Sequence, residues 1–116
     1  LKPLTVEELT QKIDGRLCAG QGAAQREVLS GCVCDLLSWV MAHAQKGTAW
    51  VTVQTHMNVV AVAELLEIAC VIFPDGMEAD AAVLNKADET GMPVVSSPKN
   101  AFDIAGIIHA AGVRGV

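Results

Sequence analysis

From residue 49 onward the apolar positions follow a repeating order. A short run without alternation comes first, then a longer stretch with helical spacing. The runs lie at 49–53, 70–73 and 93–96. Strands that are apolar throughout are buried on both faces, as in parallel sheets. The stretches at 58–69, 79–90 and 100–111 predict helices, and helical crossovers are what parallel neighbours need. Helix 58–69 is interrupted only by Glu64 and Glu67, which predicts deep coverage. Helix 79–90 turns Val83, Leu84 and Ala87 inward, and Gly91 and Pro93 end it. Asn100 with Asp103 supplies an N-terminal cap for the last helix.

The first half is less regular. Thr5 and Glu8 form a T-x-x-E capping box for a helix over 5–13, which Gly15 stops. Residues 16–19 make a short strand, and Gly20, Gln21 and Gly22 a loop. Residues 27–34 make a second strand, with Gly31 as a bend or bulge. Asp35 is placed to cap a helix carrying Leu36, Leu37, Val40, Met41 and Ala44 on one face; Lys46 and Gly47 close it. The predicted fold class is α/β: a three-layer α/β/α sandwich on a mainly parallel sheet, with the early strands able to pair antiparallel. One domain over 1–116 is expected, with no repeat and no linker.

Composition narrows the function classes. The formal charge is −5, whereas a nucleic-acid surface needs clustered Lys and Arg. Two Phe, two Trp and no Tyr leave little for a base-stacking platform. A membrane span needs about 20 consecutive apolar residues, and the apolar stretch at 59–73 is broken by Glu64 and Glu67. No basic-then-apolar leader is seen, so a cytoplasmic protein is expected. Cys18, Cys32, Cys34 and Cys70 are then read as small buried hydrophobes. A soft metal site of Cys32, Cys34 and His56 is the weaker alternative, lacking an evident fourth ligand.

Candidate chemistry collects after the three late strands, where ligands bind in open α/β sheets. The first loop carries Gln54, Thr55, His56 and Asn58; the second Asp75 and Gly76; the third Ser96, Ser97, Lys99 and Asn100. Each opens a helix, whose free N–H groups attract anions. A small anionic ligand is the natural occupant. Helix capping alone would also account for Thr55, Asn58, Ser97 and Asn100. The phosphate-loop, G-x-G-x-x-G, G-x-S-x-G and H-E-x-x-H motifs are all missing. A Ser96–His56–Asp75 relay can be written down, but almost any rim of this composition would allow one. No catalytic residue and no cofactor are assigned. A second function class is assembly: Trp39 and Val40 on the apolar helix 35–44 would form a homodimer or partner surface.

The stretch "REVLSGCVCDLLSWVMAHAQKGTAWVTVQTHMNVVAVAELLEIACVIFPDG", followed by "ETGMPVVSSPKNAFDIAGII", resembles the DRTGG domain family. That family is similar to the N-terminal domain of HPr kinase/phosphorylase and, more remotely, to that of Mur ligases. The likeness covers about residues 5–111 and rests on the order and spacing of strands, polar turns and "G-x-P-V". Where the family has a Gly-Asp-Arg-like turn and a Thr-Gly-Gly turn, this chain has Gln54-Thr55-His56 and Pro74-Asp75-Gly76, keeping only Gly76. The resemblance implies a regulatory or ligand-sensing module, with an adenine nucleotide among its ligands, or a protein partner. It also implies a divergent, stand-alone branch of the kind found beside iron-only hydrogenase and redox-sensor genes in anaerobic bacteria.

Overall fold

The computed structural model describes residues 3–116. Along the chain come α1 (Val6–Lys12), β1 (Arg16–Ala19), a short 3-10 turn (Gln21–Ala23), β2 (Ser30–Val33), α2 (Leu37–His43), β3 (Thr48–Val51) and α3 (Met57–Leu65). They are followed by β4 (Cys70–Phe73), α4 (Ala81–Thr90), β5 (Val94–Ser96) and α5 (Ala101–Ala110). The capping box forms as expected: the Thr5 hydroxyl accepts the Glu8 N–H at 3.1 Å, and the Glu8 carboxylate accepts the Thr5 N–H at 3.0 Å.

The five strands make one mixed sheet in the order β1-β5-β4-β3-β2. Strands β2 to β5 are parallel neighbours in chain order, and β1 is antiparallel to β5. Every residue of β3, β4 and β5 is buried, as their unbroken apolar runs require. Three successive crossovers in one direction place α2, α3 and α4 on the same face. Val40, Val59, Val60, Ala63, Val83 and Ala87 pack there against Trp50, Val71 and Phe73. The other face is covered by α1 and α5, whose Leu9, Ile13, Ile104 and Ile108 pack against Val51, Ile72 and Val95. After β4 the chain turns to one face, and after β5 to the other. The β4–β5 pair is therefore the topological switch point, where open α/β sheets leave a crevice.

Several expectations need correction. Only β1 of the early strands is antiparallel; β2 enters β3 through the α2 crossover and must be parallel. Gly31 marks no bulge, since β2 and β3 keep an unbroken register; the irregularity falls in β1 between Leu17 and Ala19. Asp35 does not cap α2: the N-cap is Leu36, with no side-chain bond, because the Asp35 carboxylate is turned to the loop after β3. Leu36 and Met41 lie outside, 62% and 48% exposed, rather than on the buried face. Helix α3 is not covered all round. Only Val59, Val60 and Ala63 are buried and Leu65 is 68% exposed, as an outer-layer helix keeps one face in water.

Candidate functional site

The three polar loops do share one rim, at the carboxyl ends of β3, β4 and β5. The amino end of antiparallel β1 joins them, bringing Asp14 and Arg16 to the same edge. The loops after β3 and β5 are two strand spacings apart, about 10 Å.

The loop after β3 is built from below. Val51 leads into Thr52, which is buried and donates its hydroxyl to the Asp35 carboxylate at 2.9 Å. The same carboxylate accepts the Val53 N–H at 2.9 Å. The Gln54 amide group donates to the Asp35 carbonyl, and the Gln54 backbone N–H to the Thr52 hydroxyl at 3.2 Å. Gln54 is thus part of the support. Beyond it the side chains of Thr55, His56 and Asn58 have no hydrogen-bond partner among the described residues. Thr55 does not cap α3; the cap position is His56, whose side chain makes no capping bond. His56 and Asn58 are exposed, and no acidic residue occupies the first turn of α3.

The other two loops are tied to each other. Asp75 donates its N–H to the Lys99 carbonyl and Gly76 to the Ser97 carbonyl, each at 2.8 Å. Asp75 and Gly76 hold φ of 58° and 68° to do this. The Ser96 hydroxyl donates to the Met77 carbonyl at 2.7 Å, and the buried Ser97 hydroxyl to the Ile13 carbonyl at 2.6 Å. Ser97 also accepts the Lys99 N–H at 3.2 Å. Neither serine offers a donor outward, because each hydroxyl proton is already given to a backbone carbonyl. Lys99 pairs with Asp14 at 3.3 Å, and Arg16 with Glu78. Helix α4 is capped by Asp80 and α5 by Asn100, each side chain accepting a backbone N–H. The cations at this end are compensated and the helix ends closed.

No Ser–His–Asp relay is assembled: Ser96 is bonded to Met77, and His56 has no hydrogen-bond partner among the described residues. Nor do Cys32, Cys34 and His56 form a ligand set. Among the described residues no three His, Cys, Asp or Glu side chains form a group able to hold a metal ion. Cys32 is buried under α2, and Cys34 packs against the same cluster. Burial, then the charge of Cys34, pushes the Cys32 thiol up to about 11. Burial pushes Cys70 up to about 12, the Arg26 charge opposing.

Two residues at the rim escaped the sequence reading. By sequence Asp35 is placed as a helix cap, and only its position beside the end of β3 shows its bonding to Thr52 and Val53. Phe102, just after the third loop, is 86% exposed in the first turn of α5; an aromatic two places after a capping Asn is the available signal. A surface cavity of about 530 Å³ lies at the opposite, amino ends of the strands, beside Arg26, Gly47, Ala69 and Met92. Another of about 250 Å³ lies between β2, β3 and α5. Neither touches the three loops. No helix among the described residues is long and apolar enough to cross a membrane.

The DRTGG domain family matches residues 8–111, and the chain belongs to it. A crystal structure of the CBS and DRTGG domains of the regulatory region of Clostridium perfringens pyrophosphatase, complexed with its activator diadenosine tetraphosphate, is similar, with a TM-score of 0.74. The sequences are 10% identical over 90% of this chain and 45% of that chain. The present chain therefore corresponds to under half of that one, and at this identity the likeness is one of fold. A search of the curated proteins gives no match.

Proposed function

We propose that this DRTGG domain is a non-catalytic regulatory module. It senses a small anionic ligand, an adenine nucleotide by preference, at the rim where α3 begins. The observation that carries this reading is the contrast between helix ends. Helices α4 and α5 are capped by their own side chains, whereas α3 begins uncapped beside unpaired His56 and Asn58. Free N–H groups at a helix start attract anions. Thr55 adds an unpaired hydroxyl and Gly76 a backbone surface that no side chain covers. Lys99, compensated by exposed Asp14, would have to exchange that partner for the ligand, and Asp75, as a carboxylate, would repel an anion and is given no contact. Exposed Phe102 offers a face for a base. The likeness to a regulatory region solved with a dinucleotide supports the ligand class. Gln54, Ser96 and Ser97 act as framework.

The test is a thermal-shift screen of adenine nucleotides against the wild type and the His56→Ala/Asn58→Ala double variant. A ligand that binds only the folded state adds about 2.7 kcal/mol at a hundredfold excess over its dissociation constant. A shift present in the wild type and lost in a folded double variant supports the site. An equal shift in both removes it.

A second reading is favoured by one observation. Leu36, Trp39 and Met41, in and just before α2, are 62%, 39% and 48% exposed. They would serve a homodimer or a docking partner; Val40, expected on that surface, is instead fully buried in the core. Light scattering at high concentration tests the first, and a monomer would count against it.

A further inference from the structure

The cavity of about 530 Å³ at the amino ends of the strands takes no part in the rim. It is enclosed by the segment before β2, the turn before β3, and the carboxyl-terminal ends of α3 and α4. Small-molecule sites span about 300–1,000 Å³ and combine an apolar lining with a few convergent polar groups. The floor here is apolar. Ala69 and Met92 are buried, and the Leu29 side chain lies over Gly47, where a Cβ would come within 2.7 Å of it. The charges around this floor do not cancel one another. Lys46 pairs with Glu67 at 3.8 Å. Arg26 donates to the Ile68 carbonyl at 3.1 Å, which holds its guanidinium beside the entry to β4, and its charge reaches the buried Cys70 thiol. It has no carboxylate partner among the described residues, and the carboxylates of Glu27 and Glu64 have no hydrogen-bond or ion-pair partner there either. Glu64 stands in the last turn of α3, where the helix dipole is negative and no basic residue compensates it. Helix α4 also ends without a basic residue. One guanidinium and two carboxylates thus line the same cavity unpaired.

We infer that this cavity is a binding site for a small zwitterion of the α-amino-acid class with an apolar side chain. A lone anion would meet Glu27, Glu64 and the negative ends of two helices. A lone cation would meet Arg26. A molecule carrying both charges answers both. Its carboxylate lies on the Arg26 guanidinium, whose planar fork suits carboxylates. Its ammonium lies on Glu64 and the end of α3, and its side chain on Leu29, Ala69 and Met92. The site stands at the opposite end of α3 from His56 and does not depend on the rim.

The experiment is amide NMR of the full chain. The probes are free leucine and phenylalanine, and N-acetyl-leucine and leucinamide, which each lack one charge. Saturable shifts at the Gly47, Ala69 and Thr90 amides are expected with a free amino acid, and binding about tenfold weaker with either blocked analogue. Two variants assign the charges. Arg26→Gln should weaken the free amino acid about tenfold without weakening leucinamide, and Glu64→Gln should weaken it about tenfold without weakening N-acetyl-leucine. No saturable shift with any probe overturns the inference. So do shifts confined to the 54–58 turn, and equal binding of leucine and both blocked analogues. Should Arg26→Gln fail to fold, Glu64→Gln, which breaks no bond, still decides: equal binding of leucine by this variant and the wild type overturns the inference.

Discussion

A single carboxylate organises the first rim loop. Asp35 accepts from the Thr52 hydroxyl and the Val53 N–H, both at 2.9 Å. Asp35→Ala leaves buried Thr52 without its acceptor, and a loss of about 1–3 kcal/mol in chemical denaturation is expected. Nothing in the residue types announced this, because Asp before an apolar helix reads equally well as a cap. Thr55, His56 and Asn58 were legible as a polar turn; that Gln54, Ser96 and Ser97 face inward was not, since that depends on carbonyls brought in from elsewhere in the chain. The thiols give a second prediction at this scale. The folded-state values of Cys32 and Cys70 stand at about 11 and about 12, above the ordinary 9.0, chiefly through burial. Above pH 9 the unfolded chain loses these protons first, so the folded state binds more protons and stability falls as pH rises. The contribution is complete below pH 9 and lost progressively towards the folded-state values. Urea midpoints measured from pH 7 to pH 10.5 should fall more steeply for wild type than for Cys32→Ala/Cys70→Ala.

Among the elements, the helix starts separate structural from free polar residues. Asp80 accepts the Val83 N–H at 3.1 Å and Asn100 the Asp103 N–H at 2.8 Å. Asp80→Ala and Asn100→Ala should each cost about 0.5–2 kcal/mol of stability. His56→Ala, which breaks no bond, should change the denaturation midpoint hardly at all. A marked loss for His56→Ala would return that turn to a purely structural role. The turn that leaves β1, beside the start of β5, sets a tighter limit. Gly20, at φ 70°, lies so close to the Met92 backbone that a Cβ would come within 2.4 Å. Gly20→Ala should therefore lower stability by more than a surface cap does, as positive φ and a backbone clash act together. The sequence marked Gly20 only as part of a loop, because its close neighbour is more than seventy positions away. The late β-then-helix order was legible because each strand is apolar on both faces. The pairing of β1 was not, since a four-residue strand carries no sign of its direction.

For the molecule as a whole, the sheet order predicts how the fold comes apart. β3 and β4 have a strand on either side and a helical layer on either face. Their amides can reach water only when the whole structure opens. β1 is bound to one neighbour through an irregular register, and among the described residues β2 has only Gly31 bridged on its outer side. Edges of this kind open locally, below the global free energy. Native-state hydrogen exchange should therefore show Trp50, Val51, Val71 and Ile72 exchanging together, with the denaturant dependence of global unfolding. Leu17 and Val33 should exchange earlier and with little denaturant dependence. The rim follows from the same order. The central strands that cannot open carry the loops at 52–58 and 74–77, so the turn at His56 is held from below by the most protected part of the sheet. If Trp50 and Val71 instead exchanged as fast as Val33, the rim would lack a rigid base, and a ligand there would have to order the sheet as it bound.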